Sequence, residues 1–210
     1  RVEDLVRYHG HPVTNGMRTA ADLTRWALYP EKALAAIDMS LRPGLTTQRE
    51  LEQVQVPRMK GYRGIQLVRD AIAVASDRAA SPGESELRYY WLESGLPSPS
   101  VNADVFDLRG RFMGRIDLMD HESGCGAEYN GHWHEMWDRP EMDRRRLAGL
   151  RSLNLTMDEF TSLDVGSSGV GRISSRFRAG YALAVARDGR HDAFRTSAPS
   201  PGLTEEAHTV

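Results

Sequence analysis

Two carboxylates and a carboxamide near the middle of the chain have the types and spacing for phosphate or metal chemistry: Asp117, Glu128 and Asn130. Phe112–Leu118 reads as one strand and Ala127–Asn130 as the next, with a turn over Glu122–Gly126 between them. Strict alternation would put Phe112, Gly114, Ile116 and Leu118 on one face and Arg115, Asp117 and Met119 on the other. In the second strand Cys125, Ala127 and Tyr129 share a face, and Glu128 and Asn130 share the opposite one. A hairpin of these two strands therefore carries Asp117 to Glu128 and Asn130. Carboxylates held a few ångströms apart repel each other, and a divalent cation relieves that repulsion. Oxygen donors suit Mg2+ or Mn2+, which polarise a phosphoryl oxygen and lower the pKa of a bound water. His132 and His134 follow directly, either of them able to act as general base or ligand near neutral pH. The same spacing also fits plain solvated positions on the outer face of an antiparallel sheet.

The elements that must position these residues fall into two parts. Residues 1–79 read as a helical module. A short extended piece around Val6–Val13 precedes helices over Thr19–Tyr29 and Glu31–Leu41, a third from the capping box Thr47–Glu50 to near Pro57, and a fourth from Tyr62 to Ala79. Residues 80–187 read as an α/β domain. Ser81-Pro82-Gly83-Glu84 is a second capping box, starting a helix that runs to Ser94. Val101, Ala103 and Val105 alternate as a strand, the hairpin follows, and Pro140–Leu153 returns to helix. A poorly patterned strand over Leu155–Leu163 and a helix over Gly171–Arg187 complete the domain. Placing Asp158 and Glu159 in a central strand is costly, which predicts that this strand is exposed, shifted or unformed. Residues 188–210 are polar and aperiodic, and read as a flexible tail.

The run Ser81–Glu84, then Arg115-Ile116-Asp117-Leu118, then Ala127-Glu128-Tyr129-Asn130-Gly131 through His134, then Asp143 to Arg146, resembles the very-short-patch-repair-like endonucleases of the PD-(D/E)xK superfamily. The resemblance covers about Ser81 to Leu163. It implies a restriction-endonuclease-like fold, a mixed sheet flanked by helices and preceded here by the small helical module. It further implies a metal-dependent nuclease acting on DNA, with Glu84, Asp117, Glu128, Asn130, His134, Asp143 and Arg146 at the family's motif positions. In that assignment Asp117 and Glu128 hold Mg2+ or Mn2+, Asn130 orients a ligand or phosphate, and His134 serves as base or proton relay. Glu84, Asp143 and His132 support the site, while Arg144, Arg145 and Arg146 contact DNA phosphate. Asn130 stands where the family has an acidic residue, and no lysine lies near the site. More loosely, Gly10–Thr14 and Arg18–Leu23 resemble the helical region of abortive-infection type IV antitoxins, which implies a toxin or another defence-system protein as partner. A winged-helix DNA-binding unit often comes first in such proteins; if one existed here, it lies upstream of Arg1 or has been lost.

Other readings stay beside these. A scaffold that has lost its activity would act as an antitoxin-like or DNA-binding regulatory protein. Glu84 fits a helix cap with no chemistry, and Asp143 with Arg146 fits an exposed i,i+3 ion pair. His132-x-His134 resembles half of a cupin metal motif, although a cupin demands a mostly β-barrel chain.

Composition narrows the classes further. The 210 residues carry 27 basic and 29 acidic side chains, a net charge of −2 that gives no overall basic footprint for nucleic acid. Only Lys32 and Lys60 are lysines, so the basic side is almost wholly arginine, which reflects a GC-rich genome unless the arginines cluster in space, where they suit bidentate phosphate and carboxylate contacts. No apolar run approaches the length of a membrane span, and Arg1–Leu5 offers no secretory h-region. Cys125 stands alone, which fits a reducing cytoplasm.

Overall fold

The computed structural model describes residues 1–131, 140–167 and 169–196. It begins with a two-stranded hairpin, β1 (Leu5–Tyr8) and β2 (His11–Thr14), turned at His9 and Gly10, both in the left-handed region. Helix α1 (Gly16–Arg25) starts on Asn15, whose side chain accepts the Arg18 N–H, and α2 (Pro30–Leu41) starts on its own proline. The Thr47–Glu50 capping box forms with both of its hydrogen bonds and opens α3 (Gln48–Glu50). The helix ends near Pro57, as expected, at Arg58. A π-helical turn over Leu51–Gln55 carries it into α4 (Val56–Arg58). Proline has no N–H and crowds the carbonyl four residues back, and a widened turn accommodates both defects. Helix α5 (Ile65–Ala73) is shorter than the sequence pattern suggests, and residues 74–81 form an irregular link. Ala20, Ala21, Ala33, Ile37, Leu51, Met59, Val68 and Ile72 are the buried centre of this module.

The second part runs α6 (Pro82–Glu93), β3 (Ser100–Asp107), β4 (Phe112–Asp120), β5 (Cys125–Asn130), α7 (Pro140–Arg151), β6 (Thr156–Thr161), α8 (Ser162–Ser167), α9 (Gly169–Ala186) and β7 (Phe194–Thr196). Five strands make one open mixed sheet in the order β6-β5-β4-β3-β7, with β5 and β6 parallel and the other neighbours antiparallel. This is the mixed, helix-flanked α/β sheet expected of a restriction-endonuclease-like fold. It is not a barrel, so the cupin alternative has no fold to rest on.

Both faces of the sheet are covered. On one, Leu87, Trp91, Val101, Leu118, Ala127, Phe160 and Phe177 pack α6 and α9 against the strands. On the other, Val105, Ile116, Met119, Leu150 and Met157 pack α7 against them. Two-sided burial explains the weak patterning of β6. Met157 and Phe160 are buried on opposite faces, while Asp158 and Glu159 pair with Arg176 and Arg151. The strand does form, and as an edge strand it leaves its charges within reach of these arginines and of water.

Two expectations need correction. Ile116 and Leu118 do not share a face: Ile116 joins Met119 in the α7-side cluster, and Leu118 goes to the α6 side. The strand rolls over at Asp117, opposite Asn102, which sits in the left-handed region at φ 52°. Nor do residues 188–196 belong to a flexible tail. A 3-10 turn over Gly189–His191 leads into β7, which pairs Phe194–Thr196 with Val105–Asp107 of β3. Asn154 donates to the Asp188 carbonyl and to the Asp192 carboxylate, anchoring the return. Residues 197–210 lie outside the described residues.

The helical module is fastened to the α/β part through a buried charge pair. Arg88 of α6 grips both oxygens of Asp38 of α2 at 2.9 and 2.7 Å, and also donates to the Val74 carbonyl. Asp38 is fully buried, and its desolvation raises its pKa against the pull of Arg88. Removing one partner of such a pair strands a charge. Arg88→Ala should therefore lower stability to urea by about 3–5 kcal/mol, whereas truncating the exposed Arg190 should leave the unfolding midpoint nearly unchanged.

Candidate functional site

The site is assembled at the start of α6 and the facing parts of β4 and β5. Ser81 caps α6 by accepting the Glu84 N–H, and Pro82 opens its first turn. Gly83 then lets the helix start press on β5, since a Cβ there would collide with the Tyr129 ring. Glu84 turns back over the cap. Its carboxylate accepts the Ala80 N–H at 2.7 Å, the Ser81 hydroxyl at 3.0 Å and the Asn102 amide at 2.8 Å. The capping geometry expected from sequence is thus present, but it reaches one residue further back and across to β3.

β4 and β5 pair Leu118 with Ala127, Met119 with Gly126 and Asp120 with Cys125. Continuing that register sets Asp117 across from Glu128. There the ladder changes hands, because the Tyr129 N–H donates to the Asp117 carboxylate at 2.8 Å. Asp117, Glu128, Asn130, Arg115 and Arg146 line one open cleft of about 520 Å³ together with Phe112 and Tyr129. The sequence-based convergence of Asp117, Glu128 and Asn130 is therefore present, reached through the roll of β4 rather than through strict alternation.

Each acidic group meets a different environment. Glu128 is buried and bound at both oxygens by the Arg146 guanidinium, at 2.6 and 2.8 Å. That is the bidentate geometry in which arginine holds carboxylates most strongly. Asp117 forms no salt bridge among the described residues. Burial pushes its carboxyl up to about 7, the Tyr129 N–H works against that rise, and the negative charges of Glu84 and Glu128 add to it. Asn130 directs its amide away from Asp117 to Glu159 on β6, at 3.2 Å, and Arg151 holds the other Glu159 oxygen at 3.1 Å.

His132 and His134 lie outside the described residues, as do the side chains of Asp143 and Arg144 on the first turns of α7. Arg145 is exposed, while Arg146 turns into the cleft. Sequence reasoning missed Asn102, Arg115, Phe112, Tyr129 and Glu159 as parts of the site. Glu159 did leave a signal as a charge in an apolar strand. The Asp104–Arg115 pair, at 2.7 and 3.2 Å across β3 and β4, follows from register alone.

The donor set decides which cation would fit. Asp117, Glu128 and the Asn130 carbonyl are hard oxygen donors, which match Mg2+ or Mn2+ and not a soft metal. Among the described residues no group of three or more His, Cys, Asp or Glu side chains is gathered to hold a metal ion. Mg2+ asks for less: one or two carboxylates, with waters and substrate oxygens completing its shell. Cys125 is no ligand candidate, since it is buried and its thiol is pushed up to about 12 by desolvation. No helix among the described residues is long and apolar enough to cross a membrane.

The chain is 31% identical over 173 residues to "Uncharacterized protein MT2308" of Mycobacterium tuberculosis (strain CDC 1551 / Oshkosh). It is equally similar to "Uncharacterized protein Rv2248" of Mycobacterium tuberculosis (strain ATCC 25618 / H37Rv). The match takes in 82% of this chain and 62% of each relative, so the chain spans less than two thirds of the length of the curated relatives it matches. No family model matches the chain, and no solved structure matches it.

The Asp117 environment has a measurable consequence for stability. Its folded-state value near 7 lies above the ordinary 3.8, so folding takes up a proton between these two values. Stability therefore falls as pH rises through that window. Asp117→Asn keeps the acceptor for the Tyr129 N–H and removes the charge. It should be more stable than wild type by about 1–3 kcal/mol at about pH 8, with the gap closing by about pH 4. Urea unfolding at both pH values checks this, and a gap that does not change with pH would show that Asp117 is ionised in the folded protein well below neutrality.

Proposed function

We propose that this chain is a metal-dependent nuclease that hydrolyses DNA phosphodiester bonds. The observation that carries the reading is one cleft in which Asp117 and Glu128, from adjacent strands, meet Arg115 and Arg146. Carboxylates suited to a hard cation beside arginines suited to phosphate match the two halves of a phosphodiester site. The resemblance of the Ser81–Glu84, Arg115–Leu118, Ala127–His134 and Asp143–Arg146 runs to very-short-patch-repair-like endonucleases points the same way.

In this reading Asp117 and Glu128 hold Mg2+ or Mn2+, with Asn130 and Glu159 closing one side of the cleft. The bound cation supplies polarisation of the phosphoryl oxygen and a water of lowered pKa. Arg146, with Arg144 and Arg145 on the same helix, draws the scissile phosphate in. Glu84 positions rather than reacts, because its oxygens are engaged by Ala80, Ser81 and Asn102. His134 keeps the role of base or proton relay that the resemblance implies, with His132 and Asp143 in support. A lone, buried Cys125 suits work in a reducing cytoplasm.

A second reading is favoured by the Arg146–Glu128 pair itself. If that pair never opens, the scaffold is catalytically silent and acts as an antitoxin-like or DNA-binding regulator, with a toxin or another defence-system protein as partner. The absence of a lysine from the cleft lining and the presence of Asn130 agree with it.

Plasmid DNA incubated with the protein and Mg2+ or Mn2+ separates the two. The nuclease reading expects metal-dependent nicking, abolished by chelator and reduced ~10²-fold or more by Asp117→Asn. Wild type and Asp117→Asn equally inert with every metal, combined with DNA or toxin binding that survives Asp117→Ala with Glu128→Ala, would establish the regulatory reading instead.

A further inference from the structure

We infer that Arg146 is handed from Glu128 to a phosphate, so that the cleft takes up a divalent cation and a phosphate-bearing ligand together and neither well alone. This rests on the metal-dependent reading above and adds the order that the ion pair imposes on it.

Both Glu128 oxygens are occupied by the Arg146 guanidinium at 2.6 and 2.8 Å. A cation arriving at Glu128 competes for the same lone pairs and is repelled by the arginine charge. Arg146 cannot simply leave either. The Glu128 side chain is only 5% exposed and has the Asp117 carboxyl for a neighbour, so an unpaired Glu128 would be costly. A double exchange keeps both charges of this pair compensated, with a cation taking the place of Arg146 on Glu128 while a phosphate takes the place of Glu128 on Arg146. The guanidinium fork fits a phosphate as well as it fits a carboxylate.

The surroundings permit the swing. The Arg146 side chain is 31% exposed, and its aliphatic stem lies over Gly114, where a Cβ would come within 3.4 Å of the stem. The stem thus rests on bare backbone with the charged head at the cleft wall. One further contact of the head, to the Arg115 carbonyl at 3.4 Å, is long.

The test is Mn2+ binding, read as loss of the free-ion signal in electron paramagnetic resonance. Titrations run without nucleotide, with thymidine 5′-monophosphate and with thymidine, each corrected for Mn2+ bound by the nucleotide alone. Wild type should bind Mn2+ about 10-fold more tightly with the monophosphate, and thymidine should have no effect. Arg146→Gln should bind Mn2+ more tightly than wild type in the absence of nucleotide, and should gain nothing from it. Arg146→Lys, which keeps the charge without the fork, should fall between the two and covers the case in which the glutamine variant does not fold by circular dichroism. If wild type binds Mn2+ and Glu128→Gln loses it, yet the Arg146 variants match wild type with and without nucleotide, the exchange is overturned and the metal site stands. If neither wild type nor any Arg146 variant binds Mn2+ above the level of Asp117→Asn with Glu128→Gln, the metal-dependent reading falls and takes the exchange with it.

Discussion

A carboxylate taken out of water must be compensated, and the way this chain compensates four of them organises the whole molecule. Asp38, Glu84, Asp117 and Glu128 lie at the contacts between layers, where helices cover both faces of the sheet or where one part of the chain docks on the other. Left uncompensated, each would cost several kcal/mol. Asp38 is matched by Arg88, which thereby ties the helical module to α6. Glu84 is matched by neutral donors from the α6 cap and from β3. Glu128 is matched by Arg146, which ties α7 to β5. Asp117 has one backbone N–H and no salt bridge among the described residues, and burial holds its carboxyl up at about 7.

That difference separates scaffold from site. The first three carboxylates hold elements together, Asp38 through one Arg88 nitrogen shared between its two oxygens and Glu128 through a bidentate Arg146 fork. Asp117 has no salt bridge among the described residues and lies in the open cleft it shares with Glu128. A group kept near neutrality by its environment costs stability, which is the usual condition of residues retained for binding or chemistry. Glu128 stands between the two classes: its partner Arg146 is an anchor that also lines the cleft.

The strand roll at Asp117 shows how local irregularity serves this arrangement. With Asn102 in the left-handed region across from it, β4 sends Ile116 to the α7 side and Leu118 to the α6 side. Asp117 sits at the crossover and can meet the Tyr129 N–H in the ladder. A regular strand would have given it wholly to one face. Asn102 is also the residue that donates to Glu84, so a single side chain links the helix cap to the roll.

Much of the architecture is written in short stretches of the sequence. The Thr47–Glu50 box, the Ser81–Pro82 start and the paired strands around Glu122–Gly126 are each decided by interactions within a few residues, so their types and order read directly. So does the approach of Asp117 to Glu128, because an antiparallel hairpin of that length admits few registers. What the tertiary structure alone decided lies at longer range. Local pattern could not tell that Arg146 reaches Glu128, that Asn130 turns to Glu159, that the third helix approaches Pro57 through a π turn, or that Phe194–Thr196 returns to close the sheet edge at β3. Nor could it give the Asp117 protonation state, which depends on burial by elements distant in sequence. The physical reason is common to all of these: caps and turns are settled by neighbours along the chain, whereas the partner of a buried charge is settled by whatever the other layers bring within reach.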